Sequence, residues 1–188
     1  MTATSGPDDL DFTHAFDGPA IAPASLKASS EAEKQEVTAG AAEIQSSGYY
    51  VSIARKAKKV APLASRFSIL CIDDDTGLLG ILVKKLTLDG YAVRTASDRQ
   101  TIVAELQRLP PPHLILLDVG LPGISGFDVL RKLRQHPRLG SVPVIMLTGH
   151  ASPEDVLQGM TAGADGYVSK PFQFDALTTA IDTVLGIR

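Results

Sequence analysis

The chain has 188 residues, of which 18 are basic and 21 acidic, giving a net charge of −3 and a sequence pI of about 5.8. This balance excludes the global positive field that marks many nucleic-acid-binding proteins. The single cysteine, Cys71, excludes an intramolecular disulfide; because it lies within an apolar run, we interpret it as a small buried hydrophobic residue.

Residues 1–66 are rich in Ala, Ser, Thr, Gly and Pro and poor in the large aliphatic residues that a core requires. We therefore predict an N-terminal extension of low structure, disordered over residues 1–30. A weak helix is predicted over 30–47, since Ser30 and Glu33 have the spacing of a capping box.

A second helix is predicted over 50–60, because Tyr50, Ile53 and Val60 fall on one helical face and the basic residues fall largely elsewhere. We interpret it as a solvated linker helix; docking on a partner or an anionic surface is the alternative. No apolar run has the length of a membrane span and no secretory signal is visible, so we expect a cytoplasmic protein without membrane insertion.

From Phe67 onward, apolar strand patterns alternate with amphipathic helix patterns. Strands are predicted at 67–72, 91–95, 113–117, 142–147 and 166–169, and helices at 76–89, 98–108, 126–136, 153–162 and 173–185. Five consecutive βα units predict a parallel sheet covered by helices on both faces. Residues 67–188 are therefore predicted to form one doubly wound α/β domain.

Polar residues stand where four of the predicted strands end: the run Asp73-Asp74-Asp75, then Asp118, Thr148 and Lys170-Pro171. Open parallel sheets bind ligands outside the carboxyl ends of their strands, so these residues are expected to converge on one pocket. A carboxylate there can attack phosphorus and form an acyl phosphate. Clustered carboxylates would repel one another unless a divalent cation joined them, and oxygen ligands suit Mg²⁺.

This order of residues resembles the receiver domain of two-component response regulators, a CheY-like superfamily. The family has an acidic pair after strand 1, Asp after strand 3, Thr or Ser after strand 4 and Lys-Pro after strand 5. The resemblance covers about two thirds of the chain. It implies a flavodoxin-like (βα)5 fold with a five-stranded parallel sheet in the order 2-1-3-4-5.

The resemblance implies that Asp118 is the phosphoacceptor and that Mg²⁺, with Mn²⁺ as an alternative, is the cofactor. We assign Asp74 and Asp118 as direct metal ligands. By the resemblance, Asp73 acts through a metal-bound water and the backbone carbonyl of Gly120 completes the sphere. Asp75 is interpreted as a solvated or helix-capping residue instead.

Three further roles come from the resemblance. Lys170 is expected to reach a phosphoryl oxygen and to pair with Asp118 when no phosphate is present, with a cis bond to Pro171. Thr148 offers its hydroxyl to the phosphoryl group. Tyr167 occupies the aromatic position that turns inward when Thr148 moves.

Departures from the family pattern bear on kinetics. Gly120 has no side chain to orient an attacking water, and His150 is the other position that the resemblance connects to the rate of hydrolysis. We therefore expect a phosphoryl lifetime different from that of receivers with a polar residue at position 120. Gly149 replaces a frequent Ala, and the turn residue Ser125 replaces the commoner Asp, a change we expect to be neutral.

The function predicted is a phosphorylation switch, which catalyses only its own phosphorylation and dephosphorylation and is not otherwise an enzyme. A histidine kinase or histidine phosphotransfer protein would be the donor. The surface over 153–185 would contact a downstream protein, without direct nucleic-acid binding. His14, His113 and His136 lack the context of a phosphorelay histidine.

Two rival enzyme or nucleotide-binding functions are disfavoured by visible residues. A haloacid dehalogenase-type phosphatase would need a second Asp at position 120, and a nucleotide-binding loop would need backbone donors and a Lys where Asp73-Asp74-Asp75 stands. Since the sequence stops just after the last predicted helix, we expect either a single-domain receiver with an extension or a receiver fragment of a hybrid histidine kinase or DNA-binding response regulator.

Overall fold

A six-stranded sheet with helices on both faces forms the domain, in a computed structural model that describes residues 51–53, 66–149 and 153–187. The strands are β1 Val51–Ile53, β2 Ser68–Ile72, β3 Ala92–Ala96, β4 Leu114–Asp118, β5 Val144–Thr148 and β6 Gly166–Ser169. The helices are α1 Thr76–Leu88, α2 Arg99–Gln107, α3 Gly126–Gln135, α4 Pro153–Thr161 and α5 Phe174–Leu185. All ten predicted elements from Phe67 onward are confirmed, with bounds within two residues.

The strand order is β1-β6-β5-β4-β2-β3. The five strands from β2 to β6 are parallel, so the predicted five-stranded sheet in the order 2-1-3-4-5 is confirmed. The sixth strand, β1, was not expected. It pairs with β6 in the antiparallel direction.

The helix predicted over 50–60 is wrong at Val51–Ile53, which form β1. Two β-branched residues flank Ser52 there, an alternation that suits a strand, and the edge of β6 supplies main-chain groups with which it can pair. The rest of that predicted helix, and the one predicted over 30–47, lie outside the described residues.

Two apolar layers hold the helices against the sheet. Along β4, Ile115 and Leu117 contact the layer on one face, and Leu114 and Leu116 contact the layer on the other. All four side chains are fully buried, as expected for the central strand of a parallel sheet. This double burial fixes β4, and with it the position of Asp118 at its end.

Side chains define the helix starts nearest the carboxyl ends of the strands. Asp75 caps α1 by accepting a hydrogen bond from the Leu78 amide at 3.0 Å, which confirms its predicted capping role. Ser125 caps α3 by accepting one from the Phe127 amide at 3.2 Å. Among the described residues, no helix is long and apolar enough to cross a membrane.

Candidate functional site

The predicted polar residues do meet at the carboxyl edge of the sheet. Asp73 follows β2, Asp118 ends β4, Thr148 ends β5 and Lys170 follows β6. Because β2, β4, β5 and β6 are consecutive neighbours in the sheet, their ends lie side by side. The site is therefore built by four strands and not by any single loop.

Lys170 joins two of the acids. Its Nζ donates to Oδ2 of Asp73 and to Oδ1 of Asp118, both at 2.6 Å. Asp73 is 1% exposed and Asp118 is 5% exposed, whereas the Lys170 side chain is partly exposed. Two carboxylates thus share one ammonium group in a largely buried setting.

Burial and pairing act on these groups in opposite directions. Burial raises the pKa of Asp73 above its ordinary value, and the hydrogen bonds from Lys170 and the Asp75 amide reduce this rise without cancelling it. Burial alone would lower the pKa of Lys170, but its hydrogen bonds and charge interactions with Asp118 and Asp73 outweigh burial and raise it. Lys170 is therefore a stable cation at neutral pH.

An acidic cluster lies beside this lysine. Asp73, Asp74 and Asp118 each offer a carboxylate oxygen, and these oxygens lie within 4.8 Å of one another. Asp74 is exposed while the other two are buried, so the cluster opens to solvent on one side. Three hard oxygen donors with room for water are the ligands that Mg²⁺ prefers, so the residues present fit such an ion.

The loop after β4 is held close to Asp118. The Gly120 amide donates to Oδ2 of Asp118 at 2.6 Å, so both carboxylate oxygens of this residue have partners. A Cβ on Gly126 would lie 2.1 Å from the main-chain oxygen of Asp118. Only glycine permits this approach, which explains why the start of α3 can pack directly against the end of β4.

Thr148 and Tyr167 lie on the neighbouring strands β5 and β6. Thr148 is 2% exposed and Tyr167 is fully buried, so the tyrosine ring lies inside the domain. Burial raises the pKa of Tyr167 to about 12, and among the described residues its hydroxyl has no hydrogen-bond partner. The two residues predicted to switch together therefore lie on adjacent, paired strands.

Sequence reasoning missed two residues near this pair. Gly159, in α4, makes room for Tyr167: a Cβ there would lie 2.9 Å from Cε2 of the ring. Asp155, in the first turn of α4, helps to line a cleft of about 430 Å³ together with Asp118, Thr148 and Lys170. The only available signal for Asp155 was an acid in the helix that follows Thr148.

The remaining predicted residues are placed as follows. The peptide bond between Lys170 and Pro171 is cis, as the resemblance implied. His150 lies outside the described residues. Cys71 is buried, and burial raises the pKa of its thiol to about 12, in agreement with its interpretation as a hydrophobic residue.

The two described histidines have structural surroundings. Nδ1 of His113 accepts a hydrogen bond from the Ser68 amide at 3.0 Å. Nδ1 of His136 accepts hydrogen bonds from the amides of Arg138 and Leu139 at 3.1 and 3.2 Å. Both residues are buried; His113 precedes β4 and His136 follows α3. Their partners account for them without a role in phosphoryl transfer.

Curated relatives match somewhat less than two thirds of the chain. The chain is 37% identical over 120 residues to the DNA-binding dual master transcriptional regulator RpaA of Synechocystis sp.. This match covers 62% of the present chain and 48% of RpaA. The chain is 42% identical over 118 residues to the transcriptional regulatory protein AfsQ1 of Streptomyces coelicolor, which covers 63% of this chain and 51% of that protein. The chain spans about half the length of these relatives.

A solved structure and a family model agree with these matches. The chemotaxis protein CheY4 of Vibrio cholerae superposes with a TM-score of 0.60 at 30% sequence identity, over 64% of this chain and 100% of that one. The model of the response regulator receiver domain matches residues 69–182, which include the whole acidic cluster and Lys170. The chain therefore belongs to the response regulator receiver family of two-component signalling.

Proposed function

We propose that this receiver is a switch in which Asp118 accepts a phosphoryl group from a histidine kinase or a histidine phosphotransfer protein. One observation carries the proposal: Nζ of Lys170 donates a hydrogen bond to Oδ1 of Asp118 at 2.6 Å, at the edge of the acidic cluster. A buried carboxylate beside a fixed cation and an open cleft is equipped to attack phosphorus. The charge of the incoming phosphoryl group then has a partner already in place.

The transfer forms one bond and breaks one. A carboxylate oxygen of Asp118 attacks phosphorus, and the O–P bond forms as the N–P bond of a phosphohistidine breaks. The imidazole leaves with a proton taken from solvent. Lys170, which is a point charge on a long stem, can then move from the carboxylate to a phosphoryl oxygen.

Mg²⁺ fits the acidic cluster and is the proposed cofactor. Asp74 and Asp118 would hold it directly, Asp73 would act through water, and the carbonyl of Gly120 would complete the set. When bound, the ion supplies positive charge that offsets repulsion between the carboxylates and the phosphoryl oxygens. The chain's own contribution is to hold these oxygens together, within 4.8 Å for the three acids.

Thr148 and Tyr167 are the proposed readout of phosphorylation. Both are buried, and they connect the cleft to the surface formed by α4, β6 and α5. We call this surface the partner face. Phosphorylation adds charge and acceptor oxygens at one end of this face, and such a change biases a two-state element nearby. In this proposal the domain catalyses only its own phosphorylation and dephosphorylation, and a downstream protein reads its state.

The partner proposed for this region is a protein and not nucleic acid. RpaA is named as a DNA-binding regulator, but the matched region covers 48% of that protein. The present chain has a net charge of −3, which gives no general attraction for phosphate backbones. We therefore assign DNA contact to no described residue.

The deciding experiment is phosphorylation of the full chain by a small donor. With Mg²⁺ and acetyl phosphate, intact-mass spectrometry should show a gain of one phosphoryl group. The gain should disappear in Asp118→Asn and when the metal is removed with a chelator. Absence of the gain in the wild-type protein, or its persistence in Asp118→Asn, would show that Asp118 is not the acceptor.

A matched control variant is Asp75→Asn. This acid lies next to the cluster in the sequence, but it caps α1 and is not one of the three grouped acids. Its replacement should leave phosphorylation intact. Asp74→Asn, by contrast, should raise the Mg²⁺ concentration that phosphorylation requires.

A further inference from the structure

The edge of β6 carries a strand that the five βα units do not require. β1 comes from the N-terminal part of the chain and pairs with β6 through three residue pairs, Val51 with Val168, Ser52 with Tyr167 and Ile53 with Gly166. It also lies against α5. β1 therefore covers part of the partner face.

The direction of β1 suits its place in the chain. Because β1 is antiparallel to β6, it ends at the amino edge of the sheet, where β2 begins. Four strand spacings, about 19 Å in total, separate β1 from β2 in the sheet order. Fully extended, the fourteen residues from Ala54 to Phe67 could span up to about 45 Å, which is more than this separation.

The pairing pattern shows which main-chain groups β1 engages. The Lys170 amide donates to the Thr148 carbonyl of β5 at 2.6 Å, and main-chain groups alternate in direction along a strand. The main-chain amides and carbonyls of Val168 and Gly166 therefore face β5, like the Lys170 amide. The amide and carbonyl of Tyr167 face β1. Ser52, directly opposite Tyr167, is thus the hydrogen-bonded position of β1.

We propose that the edge of β6 is a strand-docking surface that the chain fills in cis with Val51–Ile53, and that a partner adding a strand there must first displace β1. Without β1, the main-chain groups of Tyr167 would be unpaired at a sheet edge, which is a template for an added strand. Three residue pairs form a short ladder that a competing segment can replace. The inference rests on the proposed function only in treating this surface as the partner face.

The main test measures amide hydrogen exchange by NMR in the full chain. Ser52→Pro removes the amide that faces the Tyr167 carbonyl, so exchange of the Tyr167 amide should become about tenfold faster. The amides of Gly166 and Val168, which face β5, should keep their wild-type rates. These two amides report that the fold is intact.

Two control variants separate the ladder from other effects of substitution. Ile53→Pro places the proline where the amide faces away from β6, a position at which an edge strand tolerates it, and Ser52→Ala keeps the amide. Both should retain slow exchange at Tyr167. Equal rates in the wild type and Ser52→Pro, equal acceleration in Ile53→Pro, or acceleration that extends to Gly166 and Val168 would overturn the proposal.

A second measurement tests whether the edge accepts a strand from outside. A synthetic peptide with the sequence of residues 46–58 is added to Ser52→Pro at millimolar concentration, the range at which a short tether presents its own segment. Exchange of the Tyr167 amide should slow again. If it does not, the edge is not a docking surface. None of these readouts involves phosphorylation, so a failure of Asp118 to accept phosphate would leave them unchanged.

Discussion

At the scale of single residues, Gly120 lies next to the carboxylate of Asp118 and is a position at which the lifetime of a phosphoryl group can be tested. Its amide holds Oδ2 of Asp118 at 2.6 Å, and a Cβ added there would lie 3.3 Å from the same oxygen. We predict that Gly120→Asn speeds loss of phosphate several-fold, because a side-chain amide so placed can orient an attacking water. The rate is measured by following the phosphorylated mass after removal of the donor.

Gly120→Ala is the control for this prediction. It adds the same Cβ close to Asp118 without a polar group, so it should not reproduce the acceleration. A rate in Gly120→Asn equal to that of the wild type would show that position 120 does not govern hydrolysis in this receiver.

A separate prediction concerns His113 and the pH dependence of the free energy of unfolding. Its Nδ1 accepts a hydrogen bond from the Ser68 amide. Burial lowers the pKa of the imidazole below the ordinary value of about 6.5 that applies in the unfolded chain. Above this value the imidazole is neutral in both the folded and the unfolded state, so its titration does not affect stability. As the pH falls below it, the unfolded chain binds a proton first, so the free energy of unfolding decreases until the folded pKa is passed.

Urea unfolding at about pH 7.5 and about pH 5.5 measures this effect. The wild type should lose more stability between the two conditions than His113→Asn, whose side chain accepts the same hydrogen bond without titrating. If the two proteins lose equal stability over this range, His113 does not contribute to the pH dependence.

At the scale of elements, two helix glycines give opposite predictions. A Cβ on Gly80, in α1, would meet no atom within 4 Å, whereas one on Gly159, in α4, would lie 2.9 Å from the Tyr167 ring. Gly80→Ala should therefore raise the free energy of unfolding by about 0.5–1 kcal/mol through helix propensity alone. Gly159→Ala should lower it by about 1 kcal/mol, because overpacking outweighs the same gain.

Denaturant unfolding of both variants makes this comparison, with each glycine serving as the control for the other. The prediction requires the two changes to have opposite signs. A stabilising Gly159→Ala would mean that Tyr167 moves aside without cost and that α4 does not confine its ring.

The elements also show how far sequence patterns reach. The alternation of apolar strands and amphipathic helices after Phe67 predicted ten elements, because the helical stripes run over two or more turns and the short apolar runs between them are bounded by turn residues, which distinguishes helix from strand. Val51–Ile53 is too short for that distinction, and apolar residues on both sides of it also fit a helix. The edge of β6, more than a hundred residues away in the sequence, favours the strand.

The same limit applies to the candidate site. Asp73, Asp118, Thr148 and Lys170 could be predicted to meet because parallel strands bring their carboxyl ends to one edge of the sheet. The closeness of Gly159 to Tyr167 depends on how α4 packs across β6, which no local pattern encodes. The chemistry of the site was thus readable from strand ends, and the packing that surrounds it was not.

At the scale of the whole molecule, the acidic site and the stability of the domain are coupled. Lys170 is the cation that bonds both Asp73 and Asp118, so Lys170→Met leaves two buried carboxylates without it. We predict a loss of about 2–3 kcal/mol in the free energy of unfolding, the cost of removing hydrogen bonds to charged groups. Lys84→Met, on the exposed side of α1, should stay within about 0.5 kcal/mol of the wild type.

Mg²⁺ should reverse part of this loss, because an ion that binds only the folded state stabilises it by mass action. At a concentration about a hundredfold above its dissociation constant, Mg²⁺ adds roughly 2.7 kcal/mol, which corresponds to a rise of several degrees in Tm for a domain of this size. The rise should be larger in Lys170→Met than in the wild type, since the ion then replaces the missing positive charge, and it should be small in Asp74→Asn. Thermal unfolding with and without Mg²⁺ measures the change in Tm for the wild type and both variants. If Mg²⁺ leaves the Tm of both the wild type and Lys170→Met unchanged, the acidic cluster is not the Mg²⁺ site.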